Sequence, residues 1–238
     1  MNTSASPRSF AQEDTMRQTY RIIGLAALLA GLSYLVQPFV VALVPVVFGT
    51  TEMVTDPAVL RGALWLAFIE TSAFLGVAVG MGLLVVGMDE LLDSPGSVLS
   101  RAHLFLGIAA ALGWLVVASA AGARYSSVTG AATSFGQEGR SVFFQAQALD
   151  IVTGAFVASL ASGIWWIGTA LRSRRAGIFG RPLAVFAGLV GAFTLLPSLF
   201  GLPWGLLFQI PLFIVLGIAF LRRAGNVPPQ PSIEALRA

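Results

Sequence analysis

Cysteine and lysine are both missing from this chain, and histidine occurs once. Without cysteine there are no disulfides, no thiolate zinc sites, no iron–sulfur ligation and no cysteine nucleophile. A single histidine, His103, cannot make a bis-histidine haem site or an HExxH zinc site, and no histidine–carboxylate cluster accompanies it. Charge is also scarce. Only 11% of the 238 residues are charged, where a soluble domain carries roughly 25%. Hydrophobic residues make up 56%, and the mean hydropathy is +0.84.

That material is arranged in six runs, about 22–48, 60–88, 103–123, 148–171, 182–201 and 204–221. About 20 apolar residues cross a bilayer as a helix. The expected fold is therefore all-α: a polytopic membrane protein of six transmembrane helices with short loops. Its last two helices form a tight hairpin around Gly201-Leu202-Pro203. Residues 1–19 are expected as a polar tail, 20–223 as the membrane domain and 224–238 as a proline-rich tail. The first stretch lacks the short apolar core and small-residue cleavage site of a signal peptide, so the first span is expected to be retained. Pro38, Pro45 and Pro211 are expected to kink their helices. The longest loop, about 124–147, is rich in small and hydroxyl residues and is expected to be flexible up to an interfacial turn at Phe143 and Phe144.

Arginine supplies all 14 basic residues, and its placement predicts orientation. Arg8, Arg17, Arg21, Arg101, Arg172, Arg174, Arg175, Arg181, Arg222, Arg223 and Arg237 fall on the side of the termini, against Arg61, Arg124 and Arg140 on the other. Positive residues stay inside, so both termini are expected to be cytoplasmic in the plasma membrane, and a cysteine at Ser173 to label only from that side. The high pI does not imply nucleic acid, because the arginines sit at the ends of apolar runs and form no continuous basic face.

Catalytic constellations fail on geometry. Ser119 and His103 share a span but lie sixteen residues apart, which is ~24 Å along a helix. Asp150 has no facing aspartate. Asp89, Glu90 and Asp93 sit at a helix end and lack calcium-ligand spacing. His103 reads as an interfacial side chain. Gly80-Met81-Gly82 with Gly87 lacks the strand–turn–helix context of a nucleotide loop. Gly76 with Gly80, Gly188 with Gly191, and Ala158 with Ser162 fit close helix packing. No catalytic residue, cofactor or metal is expected.

The polar residues within the spans gather at one depth. Glu70, the one acidic residue deep inside a run, lies in the outer half of span 2 beside Thr71. Gln37, Gln209, Asp150 and Thr153 lie at similar outer depths. A carboxylate in hydrocarbon costs about 2–3 kcal/mol on insertion scales. It needs a partner or a task. Two readings follow. Either Glu70 bonds to Gln37, Gln209 or a freed carbonyl as structural glue, or these residues line an outward-facing polar pocket for a lipid, small ligand or partner helix. The expected function is a non-enzymatic binding module whose partners are membrane lipids, a small molecule or another membrane protein. The alternative is a small proton-coupled secondary transporter that titrates Glu70, although the apolar inner halves offer no continuous polar path.

The run Ala148-Leu149-Asp150, the segment Gly163-Ile164-Trp165-Trp166-Ile167-Gly168-Thr169-Ala170-Leu171-Arg172-Ser173, then Gly180-Arg181-Pro182-Leu183 and Gly188-Leu189-Val190-Gly191 resemble uncharacterised six-span bacterial membrane proteins of the domain-of-unknown-function type. An acidic residue in the second span, here Glu70, suits that pattern. The resemblance implies a helical bundle in the plasma membrane and carries no catalytic residues.

Overall fold

Main-chain N–H and C=O groups in hydrocarbon must be paired within their own segment, which makes apolar runs of this length helical. A computed structural model of the chain describes residues 7–48, 64–92, 97–129 and 137–226. Its elements are α1 (Pro7–Phe48), α2 (Leu64–Leu92), α3 (Val98–Thr129), α4 (Gln137–Arg175), α5 (Arg181–Ser198), a 3-10 segment (Pro203–Phe208) and α6 (Gln209–Asn226). Among the described residues there is no strand, and six helices are long and apolar enough to cross a membrane. The protein is an all-α polytopic membrane protein. Its lipid-facing surface carries exposed large apolar side chains such as Phe39, Phe68, Val86 and Phe105.

Several boundaries differ from the sequence expectation. Residues 7–19, expected as a polar tail, are helical and form the first turns of α1. Pro7 opens the helix where its missing N–H costs nothing, and no glycine or further proline interrupts it before the apolar run. The expected loop at 124–147 is helical at both ends: α3 continues to Thr129 and α4 begins at Gln137, with 130–136 outside the described residues. Pro211 stands in the first turn of α6, where no intrahelical bond is lost, so a kink is not required there. The proline-rich tail beyond Asn226 lies outside the described residues, as does Arg61.

Two turns are built alike. Gly177, at φ 73°, ends α4: Ile178 N donates to Ser173 O at 2.8 Å and Gly177 N to Arg174 O at 3.2 Å. Gly201, at φ 75°, ends α5: Leu202 N donates to Pro197 O and Gly201 N to Ser198 O, both at 3.0 Å. Both are Schellman closures, and their left-handed residue is glycine because a positive φ strains any residue that carries a Cβ.

Packing follows chain order and then closes. α1 lies against α2, α2 against α3, α3 against α4 and α4 against α5; α6 returns along α1. The turn between α5 and α6 is tight, as expected. From it the helices diverge, α5 to α4 and α6 to α1, with the 3-10 segment wedged between them. Close crossings use glycine. A Cβ on Gly113 would lie 2.6 Å from Ala158 N and 2.8 Å from Gly154 O, and one on Gly191 would lie 2.8 Å from Gly163 O. The core has two tiers. One joins Ile23, Met81, Leu84, Trp165, Trp166, Phe213 and Phe220; the other joins Tyr34, Val77, Trp114, Ala158, Leu206 and Ile210.

Candidate functional site

The second tier of the core is incompletely filled. A cavity of about 460 Å³ opens between Tyr34, Gln37 and Pro38 of α1, Phe74 of α2, Trp114 and Val117 of α3, Ile151 and Ala155 of α4, and Leu206 and Leu207 of the 3-10 segment. That volume is in the usual range for small-molecule sites, about 300–1,000 Å³. An aromatic group shapes one wall. Tyr34 meets Trp114 edge-on with centroids 4.9 Å apart, and Phe74 stacks on Trp114 at 5.8 Å.

Polar groups around the cavity are few. Tyr34 is only 5% exposed, and its hydroxyl has no hydrogen-bond partner among the described residues. Gln37 Nε2 donates a long 3.5 Å bond to the main-chain oxygen of Glu70. The Trp114 indole N–H is buried without a partner. A buried unpaired donor costs about 1–3 kcal/mol, so this side of the bundle leaves hydrogen-bonding capacity unused beside an apolar hollow.

The six sequence-predicted residues do not converge. Gln37 lines the cavity. Glu70 is half-buried, and only its main-chain oxygen meets Gln37. Thr71 is half-buried, close enough to α3 that a Cβ on Gly122 would meet its Cγ2 at 3.3 Å. Asp150 and Thr153 are exposed, on the turn of α4 whose Ile151 and Ala155 face the cavity. The pocket is therefore walled mainly by apolar side chains, not by the expected polar set. The physical reason is rotation: Asp150 and Thr153 share a turn with Ile151 and Ala155 but lie on the other face of the helix.

Gln209 belongs to a different cluster. It is fully buried and donates from Nε2 to Ser162 Oγ at 2.7 Å and to Thr194 Oγ1 at 3.4 Å. Thr194 Oγ1 donates to Val190 O at 2.8 Å or Gly205 O at 3.1 Å, and Ser198 Oγ donates to Thr194 O at 2.8 Å. Ser159 Oγ bonds to Ser198 Oγ and to Thr194 O. All five residues are 0% exposed. The cluster does not include Glu70, whose glue role was the expectation; it ties α4, α5 and α6 together next to the 3-10 segment.

A third polar group lies at the arginine-rich end. His103 is buried between helices, not an exposed side chain at the span's end. Arg172 Nη1 donates to its Nδ1 at 2.9 Å, and Arg172 Nη2 donates to Ser100 Oγ at 3.0 Å. A guanidinium only donates, so Nδ1 is the acceptor and the imidazole proton sits on Nε2. That nitrogen faces Trp165 O at 3.2 Å and Thr169 Oγ1 at 3.0 Å. The ring stacks on Trp165 at 5.6 Å, and Gly168 leaves it room: a Cβ there would lie 2.7 Å from Cδ2. Sequence separation hid this network, since His103 meets Thr169 and Arg172 across two helices. The one available signal was the lone histidine itself. Among the described residues no group of His, Asp or Glu is placed to hold a metal.

No family model matches the chain, and neither a curated protein nor a solved structure matches it.

Proposed function

We propose that this protein is a binding module of the plasma membrane, with both termini cytoplasmic, that holds a lipid or lipid-like molecule in the cavity between Tyr34 and Leu206. One observation carries the reading: a space of about 460 Å³ with apolar walls, bordered by a Tyr34 hydroxyl with no partner among the described residues. Apolar walls favour a hydrocarbon body, and a few placed polar groups orient the ligand. The complementary occupant is an elongated apolar molecule with one oxygen-bearing group seated at Tyr34 and Gln37. Glu70 lies outside the described lining, so no observation favours the transporter alternative over binding. The arginine distribution supports the orientation.

The test is mass spectrometry of the purified protein, released from mild detergent with whatever it carries. Wild type is expected to bring one apolar molecule per chain. Ala155→Phe places a ring in the cavity and is expected to lose that molecule while the helical content persists. Equal retention by Ala155→Phe, or a wild-type protein that carries nothing and binds no added lipid, would refute the reading.

A further inference from the structure

We infer that Arg172 is a positioned binding group for the phosphate of an anionic phospholipid at the arginine-rich end of the bundle. An arginine that serves only to orient a membrane protein acts through its charge and needs no fixed geometry. Arg172 has one. Two of its five N–H donors are held, by His103 Nδ1 at 2.9 Å and Ser100 Oγ at 3.0 Å. The imidazole that holds it is itself fixed by Trp165 O, by Thr169 Oγ1 and by the stack on Trp165. The only histidine of the chain therefore serves as a mount for one guanidinium.

Three N–H donors of Arg172 remain, on a side chain that is only half-buried. A fixed planar fork suits the paired oxygens of a phosphate, and little entropy is lost on binding because the fork is already oriented. The surroundings have the matching sign. Arg101, which follows Ser100, and Arg174, Arg175 and Arg181 are exposed, against Asp89 and Glu90 at the end of α2. Arg175 follows Arg172 by three residues and so returns to the same face of α4. The location, at the end of a span beside exposed apolar Val98 and Leu99, places the group where acyl chains give way to headgroups. The site is distinct from the cavity and does not depend on it.

The test measures binding of short-chain phosphatidylglycerol, phosphatidylcholine and inorganic phosphate to the full chain in neutral detergent. Wild type is expected to prefer phosphatidylglycerol. Arg172→Gln is expected to weaken that binding about tenfold, the value of one charge-assisted hydrogen bond. His103→Phe keeps the net charge and the ring stack but releases the guanidinium, and is expected to weaken binding by a similar factor. Should His103→Phe lower stability too far to measure, Ser100→Ala removes the other restraint and is expected to give a smaller loss of the same kind. Arg174→Gln removes a charge with no such mount and is expected to change binding less than twofold. Equal losses in Arg172→Gln and Arg174→Gln would show diffuse attraction and overturn the proposal. So would inorganic phosphate binding as tightly as the lipid, which would assign the site to a soluble anion.

Discussion

Substituting alanine for Gly113 adds one methyl group where two helices touch through their backbones. The new Cβ would lie 2.6 Å from Ala158 N, 2.8 Å from Gly154 O and 3.0 Å from the Ala158 Cα. None of these is the end of a flexible side chain, so α3 and α4 must separate along their shared face. Overpacking of this kind costs about 1–3 kcal/mol. Alanine returns about 0.8–1 kcal/mol through its better helix propensity, leaving a net loss between about zero and about 2 kcal/mol. Gly82 is the control, since its Cβ would meet only Ala111 Cβ at 3.9 Å. There the propensity gain stands alone, and Gly82→Ala is expected to be neutral or stabilising by up to about 1 kcal/mol. Gly154→Ala clashes with the same surface, because its Cβ would lie 2.8 Å from Gly113 O. The double variant is expected to lose less than the sum of the two, since the helices separate once for both. Unfolding by a strong detergent titrated into mild micelles, followed by circular dichroism, gives the ranking. A Gly113→Ala protein as stable as Gly82→Ala would refute the backbone contact.

Gln209→Met keeps the volume of a fully buried side chain and removes an Oε1 that has no partner; membrane hydrogen bonds average about 0.6 kcal/mol, so a loss within about 1 kcal/mol is expected. Gln209→Ala also leaves a void and is expected to lose about 2 kcal/mol or more, and equal losses in the same titration would contradict the assignment of Gln209 to packing glue. Gly168→Ala places a Cβ 2.7 Å from His103 Cδ2 and is expected to displace the imidazole at a cost of about 1–3 kcal/mol, with a shift in tryptophan emission from Trp165. Gly188→Ala, whose Cβ meets only Ala170 Cβ at 3.7 Å, is expected to keep stability or raise it by up to about 1 kcal/mol and to leave emission unchanged. Ser173 is 0% exposed, so Ser173→Cys is expected to label poorly from either side. Ala176→Cys and Phe200→Cys, both exposed, are expected to react with a membrane-impermeant maleimide from opposite faces, and labelling from one face would break the topology.

The six spans were legible because run length alone decides whether a segment crosses a bilayer, and the Gly201 turn was legible from its glycine–proline signature. Height along each helix follows directly from residue number. The expectation that Gln37, Glu70, Thr71, Asp150, Thr153 and Gln209 share a level rested on a rise of about 1.5 Å per residue. Rotation about the helix axis was not legible. A helix that is apolar all round carries no stripe to show which side faces its neighbours. The sequence therefore could not separate Gln37, which lines the cavity, from Gln209, which ties three helices together, or from Asp150, which is exposed. Tyr34 and Trp114 were invisible for another reason: an aromatic side chain in a span reads equally as core filler or as ligand wall. His103 was read as interfacial from its depth, but Gly168 opens a slot that takes its ring inward. A missing methyl group decided the matter, and nothing in the neighbourhood of residue 103 announces it.

The return of α6 along α1 sets an order of events during synthesis. The first five helices can enter the bilayer and pair one after another, each with the helix before it. The cavity cannot yet exist, because Leu206 and Leu207 have not arrived to close it. Until the sixth span leaves the insertion machinery, Tyr34, Gln37 and Trp114 belong to an open seam on the nascent bundle. The walls of the pocket are completed only once the 3-10 segment joins the four helices that line the rest of it.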